Sequence, residues 1–423
     1  MKELDAAGVA GMLRPGMRVF VAGNVGEPGA LLAALQANPS AAAGVTFVQF
    51  PLPGMNRFDF AGLHPEARVE AFFMTPELRK GYEAGQVRYV PMQMRRVFDW
   101  LRDGPRLDMA WLQVGPLGDK GRYPFAPSVD FAVGALANVD TVVCEMNAQV
   151  RASMLMPSLP PQRIDAFLRS DRPLLTAPVS RVDAASSAIG AQVAALIRDG
   201  DCIQTGIGAI PAAVLAALRD KNDLGMHSGL LDIAGGDLIR RGVMNGRRKT
   251  LDQNQHVTGM ALGDAAFYEW VAGVDAISFR PASHTHEISA LRQIDDFVSI
   301  NSAVEVDLFG QVNAEIVGTR QYSGTGGSVD FMRGAAASKR GRSVVALLAT
   351  AREGQVSRIV PALERGVAAT AARTDVDYIV TEYGVVRLFG MDLDARAQAL
   401  IGIAAPAFRD RLREQWQQLR KAG

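Results

Sequence analysis

Residues Arg14–Pro28 read Arg-Pro-Gly-Met-Arg-Val-Phe-Val-Ala-Gly-Asn-Val-Gly-Glu-Pro, and residues Arg198–Pro211 read Arg-Asp-Gly-Asp-Cys-Ile-Gln-Thr-Gly-Ile-Gly-Ala-Ile-Pro. Both stretches have the pattern of an apolar strand, a glycine turn and the start of a helix, which continues over residues 31–35 and 214–218. A pattern that recurs within one chain indicates a duplicated unit. The two stretches therefore predict two domains built on one plan.

A second pair of segments matches in the same order. Ser128-Val-Asp-Phe131 and Ser328-Val-Asp-Phe331 are each followed by a Gly-Ala pair and then by an apolar run, over 140–145 and 343–349. Two ordered matches make chance a poor explanation. We therefore predict one domain over residues 1–183 and a second over 184–423, with the boundary in the polar stretch 171–186.

Apolar runs alternate with helical patterns along the chain. Predicted strands include 45–50, 110–114 and 378–380, and predicted helices include 29–35, 188–198, 395–403 and an amphipathic segment at 407–423. Continuous Val, Ile, Leu and Phe without polar alternation is typical of parallel strands covered on both faces. We predict an α/β fold with two pseudo-repeated open domains and a site in the cleft between them.

Composition excludes several classes of partner. The chain has 423 residues, with 45 Lys and Arg against 44 Asp and Glu, so its formal charge of +1 offers no general field for nucleic acid or an anionic membrane. We see no secretory signal and no apolar run of membrane-spanning length. Cys144 and Cys202 are too far apart for a metal or redox motif. We expect a cytoplasmic homodimer that binds neither nucleic acid nor membrane.

The turn Gly206-Ile-Gly-Ala-Ile-Pro211 stands where a strand passes into a helix. Glycines there let backbone N–H groups approach a ligand, and the start of a helix favours negative charge, as in a pyrophosphate. The turn lacks the third glycine of a dinucleotide-binding motif and the Lys-Ser/Thr of a Walker loop. A tight connection without a ligand remains the alternative.

Two further motifs are candidates for catalysis. Consecutive glycines in Gly324-Thr-Gly-Gly-Ser-Val-Asp330 could turn adjacent amides toward one oxyanion, or form a surface turn. Glu382 follows the apolar run 378–380, at the end of a strand that faces the ligand crevice in open α/β sheets, unless it is simply solvated. The pair His284-Thr-His286 lacks an evident third ligand, so we expect no metal.

A set of motifs spread over residues 203–412 carries a family resemblance. It comprises Gln204-Thr-Gly-Ile-Gly-Ala-Ile-Pro211, Ser299-Ile-Asn-Ser302, Glu305-Val-Asp307, Gly310-Gln-Val312, Ser323-Gly-Thr-Gly-Gly-Ser-Val-Asp-Phe331, Ser357-Arg-Ile-Val-Pro361, Val380-Thr-Glu-Tyr-Gly384 and Arg396-Ala. Together these motifs resemble the acetyl-CoA hydrolase and 4-hydroxybutyrate CoA-transferase family, the class I CoA transferases. Residues 23–28 and 115–121 extend the resemblance to the first half. It implies CoA-transferase-type domains that act on an acyl-CoA and a small carboxylate, with no cofactor beyond coenzyme A.

The resemblance also implies residue roles. In the family a glutamate attacks the acyl-CoA carbonyl, passes through a mixed anhydride and holds CoA as an enzyme thioester until a second carboxylate collects it. The implied contacts to CoA are Gly206, Ile207, Gly208, Ala209, Ile210 and Lys339, the implied catalytic residues are Gly326, Gly327 and Glu382, and the implied substrate pocket is Gly23, Asn24, Gly26, His227, Ser228 and His286.

One position departs from the family pattern. The nucleophile belongs to a Gly-x-His-Thr/Ser-Glu motif, but here the stretch is Gly225-Met-His-Ser-Gly229, and glycine has no side chain to acylate. Three hypotheses follow. The protein hydrolyses an acyl-CoA with Glu382 as base, it transfers CoA with Asp232 or Glu287 as substitute nucleophile, or it binds a CoA ester without turnover, alone or as a subunit.

Overall fold

A computed structural model describes residues 1–151, 153–178 and 181–422 of the chain. The chain divides into two compact units, of which the first comprises Met1–Pro178, Gly229–Ile233 and Val257–Thr285, and the second comprises Val179–Ser228, Ala234–His256 and His286–Gly423. The sequence predicted a single boundary between 183 and 184, in a stretch whose residues 179 and 180 lie outside the described residues. The chain instead returns twice to the first unit. None of the described helices is long and apolar enough to cross a bilayer.

The first unit is built on a parallel sheet of eight strands. They are β1 (Lys2–Glu3), β2 (Arg18–Val21), β3 (Thr46–Gln49), β4 (Arg68–Ala71), β5 (Val87–Tyr89), β6 (Leu107–Val114), β7 (Val139–Asn147) and β8 (Ala166–Ser170), in the order β1-β8-β7-β6-β2-β3-β4-β5. The sheet is hydrophobic on both faces, and Phe47 and Trp111 are fully buried in one core cluster. Burial on both faces explains why β3 and β6 were visible in the sequence as apolar runs.

Short elements complete the first unit. Its α-helices are Ala6–Ala10, Gly29–Ala37, Arg79–Glu83, Met94–Asp103, Ala132–Leu136, Ala265–Ala272 and Ala282–Thr285, and its 3-10 turns are Asn24–Gly26, Pro39–Ala42 and Pro161–Arg163. Three two-stranded pairs are Tyr123–Pro124 with Ser158–Leu159, Leu230–Asp232 with Met260–Leu262, and Ile277–Phe279 with His256–Thr258, the strand at which the chain passes back into this unit.

The second unit is built on a six-stranded sheet. Its strands are β9 (Cys202–Thr205), β10 (Gly225–Met226), β11 (Phe297–Ser302), β12 (Arg342–Ala346), β13 (Tyr378–Thr381) and β14 (Gly384–Arg387), in the order β10-β9-β11-β12-β13-β14. All neighbours are parallel except β13 and β14, which form a hairpin. The core includes Val345 and Ile379 from the sheet and Leu400 and Trp416 from the covering helices.

The helices of the second unit include the strand connections predicted from sequence. They are Ala184–Leu196, Ala209–Ala216, Ile288–Leu291, Ser328–Ala337, Leu393–Ile403 and Arg409–Ala422, with Ile233–Arg240 leading back from the first unit and a 3-10 turn at Pro406–Phe408. The predicted last residue of the terminal helix, Gly423, lies outside the described residues. Small sheets are formed by Val312–Asn313, Glu305–Asp307 and Ile359–Val360, by Ile316–Val317 with Arg320–Gln321, and by Thr350–Ala351 with Val356–Ser357.

The two sheets share one strand order. In the first unit the order β3-β2-β6-β7-β8 runs through the sheet, and in the second unit β10-β9-β11-β12-β13 occupies the same sequence of positions. The strands of the first repeated motif, β2 and β9, correspond in this order. The second repeated motif lies between β6 and β7 in one unit and between β11 and β12 in the other. The predicted α/β class with large parallel sheets is therefore confirmed.

The second repeated motif does not adopt the same conformation twice. Ser328 begins a ten-residue helix, and Asp330 lies in its first turn. Ser128 instead makes an isolated antiparallel bridge with Met260, and the helix of that unit begins only at Ala132. The same four residues therefore adopt two conformations. Asp130 lies outside a helix because Ser128 pairs with Met260, which comes from far along the chain.

A buried ion pair fastens β9 to β12 across the intervening strand β11. Asp201 stands directly before β9 and contacts Arg342, the first residue of β12, and the two side chains are 2% and 8% exposed. The Arg198 N–H also donates to Asp201 Oδ2 at 2.7 Å. Burial raises the pKa of Asp201, and the Arg198 N–H and the Arg342 charge oppose that rise. The ionised form of Asp201 is therefore stabilised by the Arg198 N–H and by the Arg342 guanidinium.

Arg342→Met should destabilise the protein by about 3–5 kcal/mol, because it leaves a buried carboxylate without its counter-charge. Urea unfolding of parent and variant measures the loss. Arg340→Met is a matched control, since the Arg340–Asp296 pair is solvent-exposed and should contribute far less. Equal losses of unfolding free energy in the two variants would contradict the conclusion that the buried Arg342–Asp201 pair matters more than the exposed one.

Candidate active site

The first glycine loop lies at the carboxyl end of β9. The strand ends at Thr205, and the Gly206 N–H donates to the Ile300 carbonyl of β11 at 3.1 Å. Gly208 caps the helix Ala209–Ala216 with φ 115°, a conformation that residues with a β-carbon rarely adopt. The structure thus places Gly206–Ile210 at a strand-to-helix junction, where the first N–H groups of a helix lack intrahelical partners. Ile207 is 47% exposed there.

Close helix packing supports this loop from behind. A methyl group at Gly190, in the helix Ala184–Leu196, would lie 2.7 Å from the backbone carbonyl of Ala213. The contact is possible only because residue 190 has no side chain. It brings the two helices together and so holds the start of the helix that carries the loop.

Gln204 and Asn301 form a buried pair beside the same loop. Each side-chain amide donates to the oxygen of the other, at 3.2 and 3.0 Å, and the residues are 2% and 8% exposed. A β-carbon on Gly206 would lie 3.6 Å from Asn301 Oδ1. The sequence analysis did not assign these residues to the site. The sequence feature that could have identified them is the presence of a polar residue within each of two apolar strands.

The second glycine loop occupies the same edge of the sheet. The helix Ser328–Ala337 follows β11 and precedes the parallel strand β12, so its N-terminus lies at the carboxyl edge of the strands. Gly326 has φ 57° and Gly327 is the helix N-cap. Two backbone turns at one edge of a parallel sheet suit an anionic ligand or a developing oxyanion.

Glu382 is held in place at this edge. It directly follows β13, its Oε2 accepts the Ala349 N–H at 2.8 Å, and its own carbonyl accepts from Gln192 Nε2 at 3.1 Å. Burial lowers the pKa of Arg358, while the charges of Glu382 and Glu305 act in the opposite direction. Glu382 is half-buried and bonded, so it is not the freely solvated glutamate of the alternative interpretation.

The histidines assigned to the substrate pocket lie in a buried aromatic cluster. His227 follows β10 and its ring lies edge-on to Phe297, with centroids 6.4 Å apart. His286 packs on Phe331 at 4.3 Å, and Phe331 lies 6.3 Å from Phe297. Ser228 is also buried and its hydroxyl donates to the Thr205 carbonyl at 3.3 Å. The structure therefore brings His227 and His286 into one cluster within the second unit.

Lys339 is not brought to the glycine loops. It follows the C-terminus of the helix whose N-terminus carries Gly327, and a ten-residue helix is about 15 Å long. The Lys339 carbonyl accepts the Asp296 N–H just before β11, and its ammonium pairs with Asp295 at 3.3 Å. This places Lys339 at the amino edge of the sheet, opposite Gly206–Ile210. Its implied contact with CoA came from the family resemblance and not from its place in the helix.

The glycine turn of the first unit is tightly packed. A methyl group at Gly23 would lie 2.2 Å from the Phe50 carbonyl oxygen, just beyond β3. Asn24 follows with φ 55° and is 2% exposed. Asn56 holds it, because Asn56 Oδ1 accepts the Asn24 N–H at 2.9 Å and Asn56 Nδ2 donates to the Asn24 carbonyl at 3.1 Å. A methyl group at Gly26 would lie 3.5 Å from the Ser128 carbonyl oxygen.

Gly229 belongs to this neighbourhood of the first unit. It is buried, and its carbonyl accepts N–H bonds from Gly259 and Met260, each at 3.1 Å. Met260 pairs with Ser128, whose hydroxyl lies 3.4 Å from Asn24 Nδ2. The structure thus joins Gly229 to the turn Asn24–Gly26 through residues that are distant in sequence.

Two carboxyl groups of this unit were missed by sequence analysis. Burial raises the pKa of Glu27 to about 7, against the opposing hydrogen bond from Asn56 and the charge of Arg172. Burial also raises the pKa of Glu145, which accepts the Ala30 N–H at 2.7 Å and the Ser170 hydroxyl at 2.6 Å. Glu27 stood within the quoted repeat, but the groups that shift its pKa come from other segments.

Known proteins match the chain over nearly its whole length. Models of the acetyl-CoA hydrolase/transferase N-terminal and C-terminal domains match residues 2–153 and 263–416. The 4-hydroxybutyrate coenzyme A transferase of Clostridium kluyveri is 36% identical over 93% of this chain and 92% of its own length. The crystal structure of RipA from Yersinia pestis superposes with a TM-score of 0.90 at 30% identity, covering 99% of this chain and 98% of its own. The crystal structure of a 4-hydroxybutyrate CoA-transferase from Porphyromonas gingivalis superposes with a TM-score of 0.82 at 30% identity, covering 99% of this chain and 97% of its own.

Proposed function

Because this chain belongs to the acetyl-CoA hydrolase/transferase family, we propose that it is an enzyme that acts on an acyl-CoA thioester. The product acid arises either by hydrolysis or by transfer of CoA to a small carboxylate. Similarity to a 4-hydroxybutyrate coenzyme A transferase over 93% of the chain supports this class of substrate. No observation favours the non-catalytic alternative.

The second unit supplies the groups that would hold the thioester. The amides of Gly206–Ile210 would bind the pantetheine chain or pyrophosphate of CoA, and those of Gly326 and Gly327 would stabilise the oxyanion formed at the attacked carbonyl. Glu382 is the fixed carboxylate at the same edge of the sheet. Coenzyme A enters as a substrate, and we propose no other cofactor.

Gly229 carries the choice between the two reactions. Transfer by the family mechanism needs a side-chain carboxylate that holds CoA covalently, and glycine has none. A water molecule can still attack a carbonyl that a pre-formed oxyanion site polarises. We therefore propose hydrolysis as the principal reaction. Transfer is the second candidate, because the matched relatives include CoA transferases.

Release of free thiol from acyl-CoA tests the proposal. A hydrolase releases CoA thiol without an added carboxylate, and neither acetate nor succinate increases the rate. A transferase depends on the carboxylate and forms an enzyme–CoA adduct that can be trapped. Binding of acyl-CoA without either reaction would contradict an enzymatic function.

Gly208→Ala should weaken CoA binding by roughly tenfold, because the native φ of 115° strains a residue with a β-carbon by about 1–3 kcal/mol. The loop then changes conformation or loses stability. Calorimetric titration with CoA measures the affinity. Gly242→Ala is the control: it also has a positive φ of 75° with open space around it, but it lies outside the glycine loops. Equal loss of affinity in both variants would contradict the assigned loop.

We also propose that the protein acts in the cytoplasm as a homodimer. The near-neutral charge of the chain and its lack of clustered cysteines support a reducing, aqueous location. Sedimentation of the purified protein in the presence and absence of CoA tests the assembly.

A further inference from the structure

A cavity of about 610 Å³ opens on the second unit, beside the second glycine loop. Every residue that lines it belongs to this unit. Two short hairpins form its sides, Ile316–Val317 with Arg320–Gln321 and Thr350–Ala351 with Val356–Ser357. The volume lies within the range of small-molecule sites in proteins, about 300–1,000 Å³. No residue assigned above to CoA or to catalysis lines the cavity, so it is a separate feature of this unit.

Most of the lining is apolar. Val304, Val317, Val356 and Val367 contribute to it together with Tyr322. The side chains of Val317, Val356 and Tyr322 are 48%, 43% and 55% exposed, so a large part of this apolar surface is accessible to a ligand. An aliphatic chain fits such a lining, because its binding removes the apolar surface of both partners from water.

A single half-buried cation stands in this apolar lining. The Arg358 guanidinium makes no hydrogen bond and no ion pair with any residue that the structure describes, and the charges of Glu382 and Glu305 act on it only at longer range. The Arg358 main-chain N–H donates to the Ala349 carbonyl at 2.9 Å, which fixes the backbone at this point. A half-buried guanidinium is stabilised by an anion, and a carboxylate matches its pair of parallel N–H groups.

The other charges of the lining balance one another. Arg352 and Glu364 are both exposed, and Glu305 Oε1 accepts a hydrogen bond from Asn313 Nδ2 at 3.0 Å. With Arg358, the lining therefore carries equal numbers of arginines and glutamates. A group with several negative charges, such as a nucleotide phosphate, gains no general attraction from it. A single carboxylate at the end of an apolar chain matches both the valines and the one half-buried guanidinium.

The cavity and the loop assigned to CoA lie on opposite sides of the oxyanion loop. Tyr322 on the cavity wall is four residues before Gly326, which limits the distance between them to roughly 14 Å. The small sheet that contains Glu305 packs with Ile379 of β13, whereas Gly206 follows β9, three strand positions and roughly 14 Å from β13. A thioester with CoA at Gly206 and its carbonyl at Gly326 therefore directs its acyl chain toward the cavity.

We propose that this cavity binds the acyl chain, and that the substrate is the CoA monothioester of a dicarboxylic acid. The methylene groups lie against the valines and Tyr322, and the terminal carboxylate binds the Arg358 guanidinium. Arg358 is thus a specificity-determining residue. The inference rests on the proposed function, since it names the class of acyl-CoA on which the enzyme acts.

Paired substrates test the inference. Succinyl-CoA and butyryl-CoA have acyl chains of equal carbon number and differ mainly in the terminal carboxylate, and glutaryl-CoA and valeryl-CoA form a second pair with one more methylene. The full chain should consume the carboxylate member of at least one pair with a kcat/KM about 10–100-fold greater than its partner, because a hydrogen bond between charged groups contributes about that factor. Thioester consumption is measured with and without added acetate, so that hydrolysis and transfer are both detected.

Arg358→Met should abolish the preference by raising KM for the carboxylate substrate about 10–100-fold, with little change for its uncharged partner. A variant that only damaged the fold would affect both substrates alike. Arg320→Met is the matched control, because Arg320 lies on the same hairpin as Val317 but does not line the cavity. It should keep the preference of the parent.

A charge on the cavity wall supplies a second variant. Val356→Asp places a carboxylate at an exposed lining position, where it competes for Arg358 and repels the acyl carboxylate, so the preference should fall by roughly tenfold. Val356→Asn has nearly the same size without the charge and should retain the preference.

The outcomes separate the two proposals. A parent that consumes no acyl-CoA overturns the proposed function and this inference with it. Consumption with no preference for the carboxylate member of either pair overturns only the inference, and so does an unchanged preference in a folded Arg358→Met variant. If Arg358→Met fails to fold, Val356→Asp and Val356→Asn decide, because equal preferences in these two variants contradict binding of a carboxylate in the cavity.

Discussion

Replacing Gly229 with glutamate should create carboxylate-dependent CoA transfer. The variant restores a side-chain carboxylate at the position of the family nucleophile. The backbone is already held there, because the Gly229 carbonyl accepts bonds from the Gly259 and Met260 N–H groups. Such a carboxylate attacks the thioester carbonyl and releases CoA thiolate, which then attacks the glutamyl carbonyl of the mixed anhydride to form a glutamyl-CoA thioester and free the original acyl group as a carboxylate. The added carboxylate collects CoA by the reverse of these steps. Because a positioned nucleophile outcompetes water, acetate or succinate should increase CoA transfer by about 100-fold or more.

Two measurements decide this result. Transfer is followed as new acyl-CoA formed from the added carboxylate, and the covalent enzyme–CoA adduct is followed by mass spectrometry of the intact chain. Gly229→Gln is the matched control, since it has nearly the same volume without a nucleophilic carboxylate, and it should show neither product. A Gly229→Glu variant that folds, binds CoA and transfers nothing would show that the site is misplaced.

Replacing Glu382 with glutamine should cost about 10²–10³-fold in kcat, with little change in the CoA affinity or in Tm. The amide keeps the shape of the side chain and can still accept the Ala349 N–H, which the carboxylate accepts at 2.8 Å. It loses the carboxylate that would take a proton from the attacking water under the hypothesis of Glu382 as base. Kinetics at saturating acyl-CoA and thermal unfolding separate catalysis from stability.

Glu305→Gln provides the comparison for Glu382. Both carboxylates act on the pKa of Arg358, but Glu305 is engaged by Asn313 Nδ2 at 3.0 Å within a small sheet. Its substitution should leave most of kcat intact. If both variants lose activity equally, Glu382 acts only by neutralising Arg358.

Local sequence patterns predicted those strands and turns whose conformation depends on the residues within them. Strand β9 and the turn 206–208 were visible because apolar residues and glycines stand next to one another in the sequence. The same is true of Glu382 after β13. Continuous burial of β6 made that strand detectable without any knowledge of its neighbours.

Properties that depend on distant segments could not be predicted in this way. Asp130 acquires its environment from Gly259 and Gly229, which are far away in sequence. The pKa of Glu27 depends on burial and on Asn56 and Arg172. The family resemblance implied a contact between Lys339 and CoA, whereas the direction of the preceding helix carries Lys339 to the edge of the sheet opposite the glycine loops.

The two returns of the chain to its first unit have a consequence for biosynthesis. A nascent chain that has left the ribosome only as far as Pro178 lacks Gly263, whose carbonyl accepts the Ala177 N–H at 3.0 Å, and Tyr268, whose hydroxyl donates to Leu175 at 2.8 Å. It also lacks the strand pair Leu230–Asp232 and Met260–Leu262. Co-translational folding of that unit therefore stays incomplete until Thr285 has emerged, after the first two of the three segments of the second unit have already been synthesised.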